Sequence, residues 1–418
     1  MSRSASRAEP TVALAAPFAD VAYTLMERPT GAFDVALLLD LTPGAAPSLE
    51  TLQAGAERAF SAYPKSRCRL EGARWVASSD AAPIRIERAI VQGEGGAVDE
   101  EIAHYLAQPM TIAAAPGIAE RVFVSASGDR EVLVFRMHHA LGDLQSAVTW
   151  LEAQLTGRTR DAAIDVKQHP KAARKSPFAF DRPSEQLWRP AGARASGRRR
   201  FHTRALEPIR LSVGAHGFTW NDLLAAVALE TFAKWNASHG AGEQVGCWIP
   251  VNVRTQRETG FGNGSSRIRV YRRNPWPEHF AEAAKCVREQ VRWSKDHGEW
   301  HVPSWADRLM QLPAAISGAI VRAYARRPGV DWATGLFAHA ERLGASSEDA
   351  LPAFVERIGL VSHMHPEHPM TLSAVGHRGR THLTFTWDEA LFPPSESRAF
   401  LQLYESIRAR AFAEVRGA

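Results

Sequence analysis

The sequence is poor in cysteine and lacks a long apolar run. Its 418 residues include three cysteines, Cys68, Cys247 and Cys286, which lie far apart and form no Cys-x-x-Cys pair. This spacing argues against a disulfide framework and a cysteine zinc site, and it favours a reducing cytoplasm. No stretch reaches the roughly 18 apolar residues that a spanning helix needs, because a proline and an aspartate interrupt residues 11–26. We therefore expect no spanning helix, and a signal peptide is disfavoured.

Three catalytic signatures are also absent. No Gly-x-Ser-x-Gly elbow occurs, which disfavours a Ser-His-Asp hydrolase. The chain has neither a Gly-x-x-x-x-Gly-Lys-Ser/Thr phosphate loop nor a convincing dinucleotide fingerprint. What it does have is 45% hydrophobic residues, enough for sizeable cores in two or three globular domains.

Apolar periodicity predicts an α/β fold. Strands are predicted over residues 33–41, 132–137 and 245–253, and helices over 49–62, 145–155, 221–235, 280–295, 305–327 and 395–412. Strands and helices alternate in both halves of the chain. This alternation favours one α/β architecture throughout.

The most informative motif follows the predicted strand 132–137, where residues 138–143 read His-His-Ala-Leu-Gly-Asp. A strand that ends here delivers two histidines and a carboxylate into a turn. An imidazole, with an ordinary pKa of about 6.5, can take a proton from an attacking group and pass it to a leaving group, as acyl transfer requires. Two histidines at a strand end can also be ordinary surface residues, and Asp143 can serve only to fix the turn.

The motif resembles the His-His-x-x-x-Asp-Gly signature of the thioester-dependent acyltransferase superfamily. That superfamily includes chloramphenicol acetyltransferase, the condensation domains of peptide synthetases and the wax ester synthase/diacylglycerol acyltransferases. Leu144 stands where the signature has glycine. Since glycine permits a positive φ without steric cost, we expect the turn to be reshaped here or to depend on Gly142.

Further segments resemble the wax ester synthase-like branch in the expected order, namely residues 18–29, 49–70, 218–227, 249–254 and 260–263. Ser362 and His363 stand where that branch has Ser-Asn-x-x-Gly-Pro. The Asp-Phe-Gly-Trp-Gly motif of many peptide-synthetase condensation domains is missing, which favours a free-standing transferase. The resemblance implies two chloramphenicol-acetyltransferase-like lobes, forming a pseudo-dimer with a central cleft and channel. We expect a lobe over 1–170, a basic crossover over 171–204 and a second lobe over 205–418.

The resemblance also assigns roles within this site. It makes His139 the general base, whereas His138 packs and orients the loop. Asp143 becomes a structural residue that pairs with an arginine of the second lobe, for which Arg254 is the best candidate. Arg254 could alternatively be a surface charge at a strand end.

A second group of residues is expected to line the substrate channel, namely Gly142, Asn221, Ser362 and His363. Asn221 could instead cap a helix. The segment with His363, His365, Glu367 and His368 has the residue types of a zinc site. Its X-Pro steps disturb regular strand geometry, however, so we predict no metal.

Basic residues are concentrated over 167–210, with twelve Lys or Arg against three acidic residues, and are densest at 198–200. This crossover could attract the phosphates of coenzyme A, an acidic acyl carrier protein or an anionic lipid surface, or it could simply be solvated. We expect no nucleic-acid binding, because no recognised motif accompanies the charge.

These observations predict a cytoplasmic acyltransferase, with at most peripheral membrane contact. It would move an acyl group from acyl-CoA or a phosphopantetheine-linked donor to an alcohol, without a bound cofactor. An amide-forming condensation enzyme that uses a carrier-protein thioester is the alternative enzyme. A non-catalytic binding or scaffold relative of the same fold is the alternative from another class.

Overall fold

The structure is a computed structural model and describes residues 13–26, 33–77, 84–93, 96–110, 112, 117–161, 164, 166–167, 176–206, 213–255, 260–300, 308–309, 312–325, 333–340, 351–363 and 368–417. The strands in these ranges are β1 (Ala13–Ala15), β2 (Asp34–Leu41), β3 (Cys68–Glu71), β4 (Arg74–Ala77), β5 (Glu87–Val91), β6 (Ile118–Ser125), β7 (Glu131–His138), β8 (Arg199–Leu206), β9 (Gly246–Asn252), β10 (Ser265–Tyr271), β11 (Gly335–Ala340), β12 (Val355–Val361), β13 (Met370–His377) and β14 (Arg380–Asp388). The helices are α1 (Phe18–Met26), α2 (Leu49–Ala62), α3 (Ala97–Ala107), α4 (Leu144–Thr156), α5 (Val213–His216), α6 (Trp220–Ser238), α7 (Phe280–Asp296), α8 (Ala314–Ala325) and α9 (Pro394–Gly417). The expected mixed α/β class is confirmed.

A five-stranded sheet, ordered β12-β2-β7-β6-β5, carries the histidine motif. All eight residues of β7 are buried, as expected for a central apolar strand whose two faces are both covered. Leu133, Phe135 and Met137 point into the core beneath α2 and α4, while Val132 and Val134 face a second cluster beside α3. The end of β7 is therefore held firmly from both sides.

A six-stranded sheet, ordered β10-β9-β11-β13-β14-β8, forms the second core. Helices α6, α7 and α9 pack against it, and α6 is buried along nearly its whole length. A smaller three-stranded sheet, β1-β4-β3, lies beside the first core. No helix in the described ranges is long and apolar enough to cross a bilayer.

One strand from the second half of the chain completes the five-stranded sheet. β12 belongs by sequence to the second half, yet it pairs antiparallel with β2, with Leu360 opposite Leu37 and Val361 opposite Ala36. Residues 355–361 thus complete the first sheet, while the division predicted at 170 and 205 stays a prediction. This pairing brings the segment after β12, including His363, towards the end of β7.

Residues 199–204, at the end of the predicted crossover, lie in β8, which pairs with β14. The densest basic point of the sequence, residues 198–200, carries paired charges. Arg198 and Arg200 both pair with Glu100 and Glu389. Arg199 is buried, so this basic run lies in a strand with paired charges and not in a solvated linker.

Candidate active site at the junction of the two sheets

His138 and His139 end β7 and begin the following turn in different environments. The His138 backbone N–H donates to the Gly117 carbonyl at 2.8 Å, and its ring is fully buried. The His138 Nδ1 accepts the Ala140 N–H at 3.1 Å, which holds the turn closed. The His139 N–H donates to the Phe33 carbonyl at 2.8 Å. Because neighbouring strand residues point to opposite faces, His138 shapes the turn while the ring of His139 is presented on the other side.

The His139 ring lies in an aromatic cluster that sequence reasoning missed. Tyr23, from α1, stacks on it with centroids 4.0 Å apart and planes 21° apart. His363 meets it edge-on at 5.4 Å, and Phe33 in turn stacks on His363 at 4.1 Å. Three distant segments thus fix the orientation of one imidazole. The segment around residue 23 was recognised only as part of a resemblance, since no local pattern links it to residue 139.

Electrostatics keep this imidazole neutral. Burial lowers the pKa of His139 below the ordinary value of 6.5, although the nearby Asp143 carboxylate opposes that shift. At neutral pH the ring is therefore unprotonated and able to accept a proton. Burial also raises the pKa of Tyr23 to about 12, so its phenol stays protonated.

The Asp143 carboxylate is directed towards the connection between β9 and β10 of the six-stranded sheet. Its carboxylate caps α4 by accepting the Ser146 N–H at 3.1 Å, and it accepts the Gly264 N–H at 3.0 Å. Arg254 approaches both carboxylate oxygens, with Nη1–Oδ2 at 2.9 Å and Nη2–Oδ1 at 2.8 Å. Although burial alone would raise it, the Arg254 guanidinium lowers the pKa of the Asp143 carboxyl below its ordinary value.

The Asp143–Arg254 pair is surrounded by close backbone approaches. Arg254 Nη2 also donates to the Ser146 hydroxyl at 3.2 Å and to the Gly262 carbonyl at 3.0 Å. A Cβ on Gly264 would lie 2.5 Å from the Arg254 side chain, and one on Gly142 would lie 2.6 Å from Ser146. These two glycines are therefore required by packing, and a place for Gly142 in a substrate channel stays a prediction.

The missing motif glycine causes no strain. Leu144 is the first residue of α4 and has ordinary helical backbone, with Asp143 as its N-cap. Its side chain packs at the edge of the first core. A positive φ is not needed at this position, so leucine fits.

Asn263 and Asp20 form a second missed connection across the junction. The Asn263 Nδ2 donates to the His139 carbonyl and to Asp20 Oδ1, both at 2.8 Å, and to the Ala140 carbonyl at 3.2 Å. Asp20 is buried and also accepts from Trp75 Nε1 and Lys65 Nζ. In the sequence, Asn263 stood out only as part of the segment 260–263 that carries a resemblance. In the structure the amide clamps the main chain of His139 from the other sheet.

The other predicted channel residues are distributed unevenly. His363 belongs to the aromatic cluster, and Ser362 is buried with its hydroxyl 2.9 Å from that of Ser373. Asn221 is not a helix cap, because α6 begins at Trp220 with Thr219 as N-cap. At that helix start, Trp220 donates to Thr381 and packs against Phe412, and a place for Asn221 in the substrate channel stays a prediction.

The histidine-rich segment is only partly visible, since His365 and Glu367 lie outside the described residues. His368 packs edge-on against Trp248 at 5.4 Å, and burial lowers its pKa to about 4. Among the residues that the structure describes, no group of three or more His, Cys, Asp or Glu side chains could hold a metal ion.

A scan against protein-family models finds no match for this chain, and neither does a search of curated protein sequences. Solved structures do resemble it. The cyclization-docking bidomain of the EpoB peptide synthetase from Sorangium cellulosum superposes with a TM-score of 0.65 at 15% identity, covering 96% of this chain and 85% of that one.

Two further structures extend the comparison. The wax ester synthase/diacylglycerol acyltransferase from Marinobacter aquaeolei VT8 has a TM-score of 0.60 at 13% identity, covering 94% of this chain and 97% of that one. A starter condensation domain of rhizomide synthetase RzmA, solved with C8-CoA and Leu-SNAC, has a TM-score of 0.61 at 11% identity, covering 96% and 94%. The expected resemblance is thus confirmed at the level of the fold: this chain has the architecture shared by condensation domains and a wax ester synthase.

Proposed function

We propose that this protein transfers an acyl group from a thioester, with acyl-CoA as donor, to an alcohol, and that His139 is the general base. The observation that carries the proposal is a neutral imidazole held by two rings and two sheets. Tyr23 stacks on the ring, and Asn263 fixes the backbone carbonyl. Such rigidity suits a base that must meet an acceptor in one geometry.

The reaction follows from the chemistry of a thioester. The acceptor hydroxyl attacks the carbonyl carbon while a ring nitrogen of His139 takes its proton. The tetrahedral intermediate collapses by breaking the carbon–sulfur bond. The imidazolium then returns the proton to the departing thiolate, so that an ester and a free thiol result. Asp143 takes no proton in this scheme, since Arg254 occupies its carboxylate.

The choice of donor and acceptor rests on likeness. One similar structure is a wax ester synthase/diacylglycerol acyltransferase, and another was solved with C8-CoA. These support an acyl-CoA donor and an alcohol acceptor. The paired arginines at 198–200 give no separate support for a phosphate-binding surface there.

A second candidate is amide formation from a carrier-protein thioester. The observation that favours it is that several of the similar structures are condensation domains of peptide or polyketide synthetases. It needs the same base and differs in the nucleophile and in the carrier of the acyl group. A non-catalytic relative would keep the fold and show no turnover.

The test is thiol release from a panel of acyl-CoA donors offered with mixed alcohols and mixed amines. The native chain is compared with His139→Ala and with the matched control His239→Ala. His239 also stacks on an aromatic ring, Trp188, at 3.8 Å, but lies at the far end of α6. We expect alcohol-dependent release that His139→Ala abolishes and His239→Ala retains.

Other results of this test separate the candidates. Release that depends on amines, or only on a carrier-bound acyl donor, would replace the proposal with amide condensation. No release from CoA or carrier donors, or release that survives His139→Ala in a folded protein, would contradict the proposed base and favour a binding protein.

A further inference from the structure

A second buried charge cluster lies beside the histidine motif. Asp34 is fully buried, and the two arginines that pair with it, Arg136 and Arg199, are each 2% exposed. Arg136 Nε lies 2.7 Å from Asp34 Oδ2. Arg199 Nη1 lies 2.7 Å from Oδ1, and its Nη2 lies 3.2 Å from Oδ2. These two arginines hold the pKa of the Asp34 carboxyl at about 2, against the opposing effect of burial.

The cluster joins the two large sheets. Asp34 begins β2 and Arg136 lies on the neighbouring β7, whereas Arg199 begins β8 of the six-stranded sheet. Backbone carbonyls at the C-terminal end of α3 compensate the additional positive charge of the two guanidinium groups. Arg199 donates to the Leu106 carbonyl at 2.8 Å, and Arg136 donates to the Tyr105 and Gln108 carbonyls, also at 2.8 Å. The negative end of a helix dipole favours cations at such a position.

Arg136 alone already neutralises Asp34 from within the same sheet. Adding Arg199 buries a further charge, and burial lowers the pKa of this arginine. Because desolvation can outweigh the attraction in a buried ion pair, Arg199 is weak evidence for extra stability. Its distinctive property is that it comes from the other sheet.

Asp34 is directly connected to the catalytic turn. It stands opposite His138 in the β2–β7 register. The preceding residue, Phe33, accepts the His139 N–H at 2.8 Å and stacks on His363 at 4.1 Å. A shift of the β2 start would therefore move both the backbone anchor of His139 and one wall of its aromatic cluster.

We propose that Arg199 is a positioning residue: with Asp34 it forms a second clamp between the sheets and fixes the start of β2, on which the placement of His139 depends. The Asp143–Arg254 pair holds the turn after His139, and the Asp34–Arg199 pair holds the start of β2, directly after Phe33. The imidazole is thus set between two inter-sheet ion pairs. The effect of this clamp on rate rests on the proposed function, but its effect on the backbone does not.

The first readout is hydrogen exchange in the full chain, followed in peptides that cover residues 131–143. We compare the native protein with Arg199→Met and with the matched control Arg200→Met. Arg200 is the next residue of β8 and also pairs across to Glu100, but it does not contact Asp34. We expect exchange about tenfold faster in Arg199→Met, because the local opening becomes easier, and unchanged exchange in Arg200→Met.

The second readout separates positioning from folding. In Arg199→Met we expect kcat for thiol release to fall by about tenfold or more, with KM for the thioester little changed, because a misplaced base slows the chemical step. The ascending limb of its rate against pH should also move to higher pH, because water that reaches the imidazole raises the pKa of His139. Arg199→Lys, which keeps the charge, should recover part of kcat.

Two results would overturn the clamp. One is unchanged exchange over 131–143 in folded Arg199→Met, and the other is an equal increase in Arg200→Met. If Arg199→Met does not fold, the same exchange comparison with Arg199→Lys decides. Absence of thiol release in the native chain would remove the proposed function, while the exchange result would still decide the clamp.

Discussion

His138 and His139 are adjacent and chemically identical, yet the fold uses them in opposite ways. The ring of His138 is sealed in the interior and accepts a backbone N–H from its own turn. The ring of His139 is held by aromatic neighbours from other segments. His138 accepts a backbone hydrogen bond that holds the turn, whereas the ring of His139 is positioned to accept a proton.

The difference arises from strand alternation and from long-range contacts. Consecutive side chains of a β-strand point to opposite faces, so only one of the two histidines can reach the junction of the sheets. The connection between β9 and β10 of the six-stranded sheet then supplies Arg254 and Asn263, which bind the carboxylate and the main chain of the turn. The contacts from the second sheet therefore give the two adjacent histidines their different environments.

The largest expected effect is that of His139→Ala. Removing a general base typically costs about 10²- to 10⁴-fold in rate, so thiol release should fall by that amount. The urea midpoint should stay near the native value, because the Phe33 hydrogen bond is made by the backbone of residue 139. A rate within tenfold of native would show that the comparison between the histidines is wrong.

Asp143→Asn should affect stability more than the chemical step. Asparagine can still cap α4, but it leaves the buried Arg254 guanidinium without a countercharge. Breaking a buried pair costs about 3–5 kcal/mol, which denaturant unfolding would detect.

The native Asp143–Arg254 pair should also weaken in acid. Because the pKa of Asp143 is lower in the folded than in the unfolded protein, the pair stabilises the fold above the unfolded pKa, and this stability is lost as pH falls through the folded pKa. An unfolding free energy of Asp143→Asn within about 1 kcal/mol of native would contradict a stabilising role for the Asp143–Arg254 pair.

His138→Ala should have a smaller effect, and of a different kind. Losing the Nδ1 acceptor leaves the buried Ala140 N–H unsatisfied, at a cost of about 1–3 kcal/mol in unfolding free energy. His138→Asn can restore an acceptor and should recover part of this loss. The rate per folded molecule should change less than tenfold in both variants. A loss of rate as large as that of His139→Ala would assign His138 a chemical role.

Tyr23→Ala should give the smallest effect, a shift in pH dependence. Burial lowers the pKa of His139, and the base is active when unprotonated, so the rate should rise with pH to a midpoint below about 6.5. Opening the ring to water raises that pKa, and the ascending limb should move to higher pH. Tyr23→Phe keeps the stacked ring and should leave the limb in place. If the ascending limb lies at the same pH in Tyr23→Ala and Tyr23→Phe, the stacked ring of Tyr23 does not lower the pKa of His139.

The sequence predicted the fold class and the segments of the motif because these depend on local apolar periodicity and on one short signature. The resemblance also singled out Arg254 as the partner of Asp143, and these side chains lie 2.8 Å apart. Leu144 looked like a disturbance only because a glycine was expected. Its helical conformation could be known only once Asp143 was seen to cap α4.

Other features could not be inferred from local pattern. Tyr23 and Asn263 act across 116 and 124 positions respectively, where no spacing rule applies. Arg199 was assigned to a basic crossover that could attract phosphates or be solvated, and its burial depends on a carboxylate 165 residues away. Asn221 was a reasonable cap by residue type, but Thr219 and Asp222 form the capping box. Tertiary contacts decided each of these cases.

The most direct test is the pH dependence of kcat/KM for alcohol-dependent thiol release, measured with the native chain and with His139→Ala. The account predicts an ascending limb in the native protein with its midpoint below the ordinary imidazole pKa of about 6.5, and no such limb in the residual activity of His139→Ala. A native midpoint at or above that value, or the same limb in His139→Ala, would contradict the claim that the half-buried, neutral imidazole of His139 is the base.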